Sequence, residues 1–422
     1  MKEKKRILVL SHGMQYGGAQ AATLEFLKLI KNLFDIHVAV AFNANAEYVY
    51  DLKTLNLKIY KVPCKLTGGF HDMKISTIAD VVKTIDLVWI SDTEYLAAPK
   101  IKRLRNIPII AHLHTYSLAC PYWTLYCGYK QVCSDPCNLL RIIKCRHAIT
   151  NEKGELGTLS YFKTLFYKPI YVGWGPIKYT QWFINRGKVI DYIDAFIAPS
   201  MALRKLYEKH IYELRQKVIE VIPNPVSIPN EIIKQYICKE QNGASRITYA
   251  DAARGAVTKG PHILLQALKL LKNCDSRLEI NMIGCKGTWV ERYASKLGIE
   301  KNVKFHGRMP KSEFYKLIGS SIVVVPSIWP EPFGIIALEA NYLGSPVIAS
   351  RVGGLPEIIL DGVTGLLVDP ADPEALAEGI IQALTKRFSR YEIHRNTLLR
   401  FDTLHIKRQF LELLMEAMQS VR

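Results

Sequence analysis

Short apolar runs recur along the chain with room for one helix between most neighbours, at residues 6–11, 36–41, 58–62, 87–90 and 107–111. They are continuous rather than alternating, as in strands buried on both faces of a parallel sheet. The segments between them include helix-length stretches such as 75–84 and 94–104. That alternation predicts a doubly wound α/β sheet with helices on both faces. Residues 195–200 and 218–225 continue the pattern, and a proline-rich, then polar stretch to Ser245 reads as a connector. A second alternation follows at 246–250, 277–283, 303–306, 322–325, 347–350 and 365–368. At 422 residues the chain is too long for one core, so two doubly wound domains are expected.

In such sheets ligands gather beyond the carboxyl ends of the strands, so the chemistry is sought there. The most constrained strand end is Pro330-Glu331-Pro332-Phe333-Gly334-Ile335-Ile336-Ala337-Leu338-Glu339, after the apolar run 322–325. Two prolines and a glycine shape a loop that opens a helix, leaving amides free for a polar or anionic ligand. Glu331 falls in the loop and Glu339 about two turns into the helix, so both carboxylates could line one crevice. At the first crossover of this half stand Arg254 and Lys259, followed by Gly260-Pro261 and a helix. Two cations beside a helix N-terminus suit a diphosphate, although alone they would read as solvated loop charges. Glycine loops at 284–287 and 353–354 fall on the same rim.

The first half has its own glycine loop, His12-Gly13-Met14-Gln15-Tyr16-Gly17-Gly18, between a strand and an amphipathic run. It lacks both the G-x-G-x-x-G spacing and a Walker lysine, so it reads either as a tight turn or as a ligand loop. His114 follows the run 107–111 at a strand end, where an imidazole is as readily functional as structural.

Charge is uneven. Of the formal +18, the first 190 residues hold +13, which suits a nucleic acid, an anionic lipid or a phosphorylated substrate without choosing among them. No acidic residue lies between Glu155 and Asp191, while Tyr161, Phe162, Trp174, Tyr179, Trp182 and Phe183 are interleaved with Lys163, Lys168, Lys178, Arg186 and Lys188. That mixture fits an anionic membrane surface, single-stranded nucleic acid or, in part, plain core. Its Gly173-Trp174-Gly175-Pro176 break argues against one continuous helix. No run is long enough to span a bilayer and 7–10 is too short for a signal core, so the cytosol is the expected compartment. Cys120, Cys127, Cys133, Cys137 and Cys145 cluster at spacings looser than paired C-x-x-C knuckles. Unlinked thiols, a disulfide-tied loop and a structural zinc all remain open for them.

Taken together, Arg254 with Lys259-Gly260, Val303-Lys304-Phe305-His306-Gly307, the Glu331 to Glu339 motif, Gly353-Gly354-Leu355-Pro356-Glu357 and Asp361-Gly362-Val363-Thr364-Gly365 resemble retaining glycosyltransferases of family 4. The first half matches more thinly, through Gly17-Gly18, His114-Thr115 and Ile222-Pro223-Asn224. The resemblance implies a GT-B fold of two facing Rossmann-like domains: an acceptor domain at 1–228, a nucleotide-sugar donor domain at 245–400, and a final helix, 401–422, returning to the first. It implies that Arg254 and Lys259 hold the donor diphosphate and that Glu331 contacts the transferred sugar. Amides at Phe333, Gly334 and Ile335 would assist, Glu339 would bind the ribose, His114 would reach toward the sugar, and Gly17-Gly18 would border acceptor or phosphate. The departing phosphate would take the acceptor proton.

Two positions depart from that pattern: Ala253 replaces the usual glycine before the arginine, and Gln20 stands where an acidic residue is frequent. The chain has no D-x-D triplet, which fits transfer without a metal or other required cofactor. The reading is therefore a hexosyltransferase taking a nucleotide-diphosphate sugar, UDP favoured over GDP, to a glycan acceptor. A lipid-linked acceptor at the cytoplasmic membrane face is favoured over a soluble one because of the basic, aromatic first half. The competing class, a zinc-containing nucleic-acid-binding protein, explains the charge and cysteines but leaves Glu331, Glu339, Arg254 and Lys259 without a role, so nucleic acid is not expected as a partner.

Overall fold

The computed structural model describes residues 4–14, 16–67, 70–121, 125–127, 131–133, 135–138, 169–237, 246–251, 255–271 and 278–420. The chain divides into two units, Met1–Ile222 with Lys407–Arg422, and Pro223–Ile406.

The first unit is built on seven parallel strands. In chain order they are β1 (Arg6–Leu10), β2 (Asp35–Ala41), β3 (Lys58–Val62), β6 (Leu87–Ile90), β7 (Ile109–His112), β10 (Ala195–Ala198) and β11 (Val218–Val221). Two short antiparallel pairs complete the count, β4 (Cys64–Thr67) with β5 (Phe70–Met73) and β8 (Tyr126–Cys127) with β9 (Gln131–Val132). The seven-stranded order is β11-β10-β7-β6-β1-β2-β3. Ile7, Leu8, Val9 and Leu10 are all fully buried, which explains why the run is apolar on both faces. From β1 the chain steps outward through β2 and β3, then returns to the other side at β6, so its topological switch point lies between β1 and β6. The helix at the C-terminus, Thr403–Ser420, seals this unit. Phe410 is fully buried, its ring 4.6 Å from that of Phe26 and 5.2 Å from that of Trp89, and Leu413, Leu414 and Ala417 are buried beside it in sequence.

The second unit holds six parallel strands, β12 (Arg246–Ala250), β13 (Glu279–Ile283), β14 (Val303–His306), β15 (Ile322–Val325), β16 (Val347–Ser350) and β17 (Gly365–Val368), in the order β14-β13-β12-β15-β16-β17. Its switch point lies between β12 and β15. Both units therefore repeat one design: a parallel sheet whose central pair of strands marks the place where loops can part for a ligand.

Three local features differ from the sequence reading. Residues read as connector are partly structural, because Asn230–Ile237 is a helix and its Ile233 joins Val226, Ile228, Ile318 and Leu343 in the core of the second unit. The helix Pro169–Ile190 runs through the Gly173–Pro176 break without interruption. Its later half is anchored by the fully buried Trp182, whose indole donates to the Ser117 carbonyl at 2.7 Å, and by buried Val189 and Ile190. Tertiary packing there overrides the roughly 3 kcal/mol penalty of an interior proline. The β4–β5 hairpin was not anticipated, since its eight residues carry little strand-like alternation.

Candidate active site

The loops beyond β12 and β15 meet at the switch point of the second unit. After β12 the chain turns back at Asp251, whose Oδ2 accepts the amides of Gly255 and Ala256 at 2.8 and 3.0 Å. It then runs through a short turn, Val257–Lys259, to the helix Pro261–Leu270. Gly260 joins the two with φ +70°, and a Cβ at this position would lie 1.8 Å from the Pro326 carbonyl oxygen. Only glycine allows that approach. The approach lets the Ile328 amide donate to the Thr258 carbonyl at 2.9 Å, which ties the two loops together.

As a result the Lys259 ammonium donates to both oxygens of Glu331, at 2.7 and 2.8 Å. Lys259 also lies over the Trp329 ring, 4.9 Å from its centroid, and Ser327 donates its hydroxyl to Glu331 Oε1. The Glu331 side chain is only 6% exposed, whereas that of Lys259 is 29% exposed. An ammonium has three donor hydrogens. With two on Glu331, one remains for a ligand.

A second distant loop holds the Glu331 backbone. Gly353, at φ +56°, packs so closely that a Cβ would fall 2.2 Å from the Glu331 carbonyl oxygen, and the Gly354 amide donates to that same oxygen at 2.8 Å. Gly334 caps the helix Ile335–Tyr342, so the amides of its first turn have no intrahelical acceptor. The Phe333 side chain turns into the core and meets Phe401 edge to face. Glu339 is half-buried and accepts the Tyr315 hydroxyl at 3.3 Å. The structure thus brings Lys259, Glu331 and the Gly334 helix start together, while Arg254 and Ala253 lie outside the described residues.

In the first unit Gly17 caps the helix Gly18–Ile30, and its amide donates to Gln20 Oε1 at 3.2 Å. Gln20 supplies the side-chain half of a capping box there, which glycine cannot reciprocate, and an amide oxygen performs that task as a carboxylate does. His114 is buried and stacks on His112 with ring centroids 3.9 Å apart. Burial holds its imidazole down to about 4, against the opposing pull of Asp92. The Cys127 side chain and Cys145 lie outside the described residues, and among the described residues no group of three His, Cys, Asp or Glu side chains could hold a metal ion.

The sequence reading missed a buried polar cluster at the switch point of the first unit. His12 Nε2 and Asp92 Oδ2 are 3.2 Å apart, and the His12 ring stacks on His71 at 3.8 Å. Glu94 is completely buried and accepts the backbone amides of both His12 and Asp92. No local spacing announces this cluster, because its members come from positions as far apart as 12, 71, 92 and 114. A topology with β1 beside β6 was the one signal that could have paired them.

Comparison with known proteins bears on the second unit first. Residues 239–398 match the family model of "Glycosyl transferases group 1". The similarity of this segment is to the group 1 glycosyl transferases. Within it lie Arg254, Lys259, Glu331, Glu339 and the Gly353 loop. The chain is 38% identical over 135 residues to a D-inositol 3-phosphate glycosyltransferase of Corynebacterium glutamicum, and 39% identical over 129 residues to an uncharacterized glycosyltransferase of Methanocaldococcus jannaschii. These matches cover 30% of this chain, and 32% and 33% of those proteins, so the chain spans about a third of the length of the curated relatives it matches. The fold is similar over nearly the whole chain to that of Anabaena HepE in a crystal structure with UDP and glucose, with TM-score 0.66, 19% identity, and 98% of this chain and 100% of that one covered. Sucrose-phosphate synthase from Thermosynechococcus elongatus gives TM-score 0.66 at 16% identity, covering 99% and 100%. Two Rossmann-like units, with these structural neighbours over nearly the whole chain, make this a GT-B fold.

Proposed function

We propose that the protein is a glycosyltransferase that moves a hexose from a nucleotide-diphosphate sugar to a hydroxyl of a glycan acceptor, with retention of configuration. The observation that carries this reading is the Lys259–Glu331 pair at the Gly334 helix start, inside the group 1 segment. Lys259 keeps one donor for a diphosphate oxygen and offsets the charge that grows on the leaving group, where such an interaction lowers the barrier. Glu331, fixed by Ser327 and by the Gly353–Gly354 loop, accepts from sugar hydroxyls. The helix amides add partial positive charge beside them. Arg254 completes the diphosphate clamp, Glu339 receives the ribose hydroxyls, His114 reaches toward the transferred sugar, and Gly17-Gly18 border the acceptor or the donor phosphate. The leaving phosphate takes the acceptor proton, and no metal or other cofactor takes part.

UDP is favoured over GDP, in keeping with the UDP in the similar HepE structure. A lipid-linked acceptor on the cytoplasmic membrane face fits the +13 carried by the first 190 residues. No helix among the described residues is long and apolar enough to cross a membrane, so that contact would be peripheral.

The test is a donor panel of UDP- and GDP-hexoses with a lipid extract, in EDTA, with the product anomer read by NMR. Thermal shifts with UDP and GDP run alongside, since a ligand that binds the folded chain stabilises it by mass action. The reading predicts a retained glycoside and a UDP shift that Glu331→Ala and Lys259→Met diminish. Absence of any nucleotide shift together with absence of transfer from every donor overturns it. Failure to bind anionic vesicles at low salt removes the membrane contact alone.

A further inference from the structure

The two units share one topology, and each places a charged pair where its strand order reverses. In the second unit the pair is Lys259 with Glu331. In the first unit it is His12, two residues beyond β1, with Asp92, two residues beyond β6. Three observations make this cluster more than buried core.

First, it is held by one side chain. Glu94 is 0% exposed, and its two oxygens separately accept the amide of His12 and the amide of Asp92. It thereby fastens the loop after β1 to the loop after β6, the two loops that a ligand at a switch point must separate or touch. Second, the cluster is incompletely satisfied. Asp92 Oδ1 and His114 Nε2 are buried without a hydrogen-bond partner among the described residues, and both residues are more than nine-tenths buried. Such groups are costly unless something fills them. A carboxylate oxygen accepts and an imidazole nitrogen bearing a proton donates, so together they complement a hydroxyl, which does both. Third, the cluster packs imidazoles in a graded series. His71 stacks on His12 and has its Nδ1 at the Thr93 hydroxyl, while His114 feels the charge of Asp92.

We propose that Glu94 is the positioning residue of a hydroxyl-binding site at this switch point, clamping the two loops so that the His12–Asp92 pair is held beside His114. The identification of the hydroxyl with that of a sugar or polyol acceptor rests on the glycosyl-transfer reading; the clamp does not.

The charge states follow from the same geometry. Burial opposes charge on both partners, but their mutual hydrogen bond wins, so His12 is raised and Asp92 lowered, with Glu94 also raising His12. Glu94 itself is pushed up to about 7, by burial first, with His12 pulling it down and Asp92 pushing it up. His71 is held down to about 4 by burial and by the charge of His12. The other titratable groups that feel Glu94 are Tyr48, Cys64 and Tyr95, all raised by burial and so neutral near pH 7.

The experiment uses the full chain and needs no turnover. Amide hydrogen exchange and histidine imidazole NMR titrations are compared for the unaltered chain, Glu94→Gln and Asp92→Asn. In Glu94→Gln the side-chain NH2 faces one of the two amide donors, so that amide, of His12 or of Asp92, should exchange about tenfold faster and the His12 midpoint should fall. In Asp92→Asn the clamp remains, so exchange at His12 should stay slow while its midpoint falls. Unchanged amide exchange and an unchanged His12 midpoint in Glu94→Gln overturn the proposal. If that variant does not fold, an unchanged His12 midpoint in Asp92→Asn overturns it. Glycerol serves as the hydroxyl probe: a saturable shift of the His114 ring that Asp92→Asn abolishes supports the ligand assignment. Absence of such a shift means that water alone fills the gap and removes the assignment. Loss of UDP binding with these results intact would defeat the transferase reading instead.

Discussion

Replacing Lys259 and replacing Glu331 should have unequal effects on stability, although each breaks the same ion pair. Glu331 is 6% exposed and Lys259 is 29% exposed. In Lys259→Met the carboxylate keeps only the Ser327 hydroxyl and stays buried with its charge uncompensated. Breaking a fully buried pair this way costs about 3–5 kcal/mol. Discounting for the solvent that reaches Lys259 leaves about 2–3 kcal/mol. In Glu331→Gln the ammonium swings toward water and the Ser327 contact survives, so the loss is about 1 kcal/mol. The double variant removes the stranded charge and should be more stable than Lys259→Met alone. Urea and thermal melts read the difference; for a unit of this size each kcal/mol moves the midpoint by roughly 2–4 °C, so Lys259→Met should melt about 5–10 °C lower. If the double variant loses as much as the two single losses added, or if Glu331→Gln is the worse single change, the buried-carboxylate argument fails.

Gly260→Ala should cost about 3 kcal/mol, from left-handed strain of about 1–3 kcal/mol and loss of the Thr258–Ile328 bond of about 1 kcal/mol, and should abolish a UDP thermal shift. Phe410→Ala should destabilise the first unit by about 3–5 kcal/mol, read by near-ultraviolet melting of the Trp89 environment. Acid should also weaken that unit: His71 and His114 have folded values near 4, below the ordinary 6.5, so unfolding takes up protons between about pH 6.5 and 4. Stability contributed by the neutral rings is therefore present above pH 6.5 and falls across that window, and His114→Gln should flatten the slope of midpoint against pH. Glu331→Ala should cut turnover and Glu339→Ala should mainly weaken donor binding, separable by kcat and donor KM; a change confined to acceptor KM in both would refute the assignment.

The strands were legible because parallel sheets buried on both faces need continuous apolar runs. Residues 58–62, 87–90, 246–250, 303–306, 322–325, 347–350 and 365–368 match the observed strands residue for residue. The final helix showed itself through Phe410, Leu413, Leu414 and Ala417, all of which are buried. The helix Pro169–Ile190 was not legible because its support comes from Ser117 and the core around Trp182, far away in sequence. Local propensity at Gly173–Pro176 carries no trace of that support.

The same contrast separates the two sites. In the second unit the backbone approaches itself so closely that an added Cβ would lie 1.8 Å from the Pro326 carbonyl oxygen at Gly260 and 2.2 Å from the Glu331 carbonyl oxygen at Gly353. Each approach forbids a Cβ, so the geometry writes glycines into the chain beside the residues it positions. In the first unit the equivalent place is assembled by side chains instead: Glu94 reaches two amides, and His12 reaches Asp92. A side chain that does the holding leaves no spacing to read, and the one left-handed glycine beside it, Gly13 at φ +61°, fits the turn against Tyr48 and does not point to Asp92 or Glu94. It follows that the two sites should respond to different perturbations. Adding a methyl group at Gly260 or Gly353 should disable the second unit's site, whereas the first should fail on the isosteric exchange of one carboxyl oxygen at Glu94.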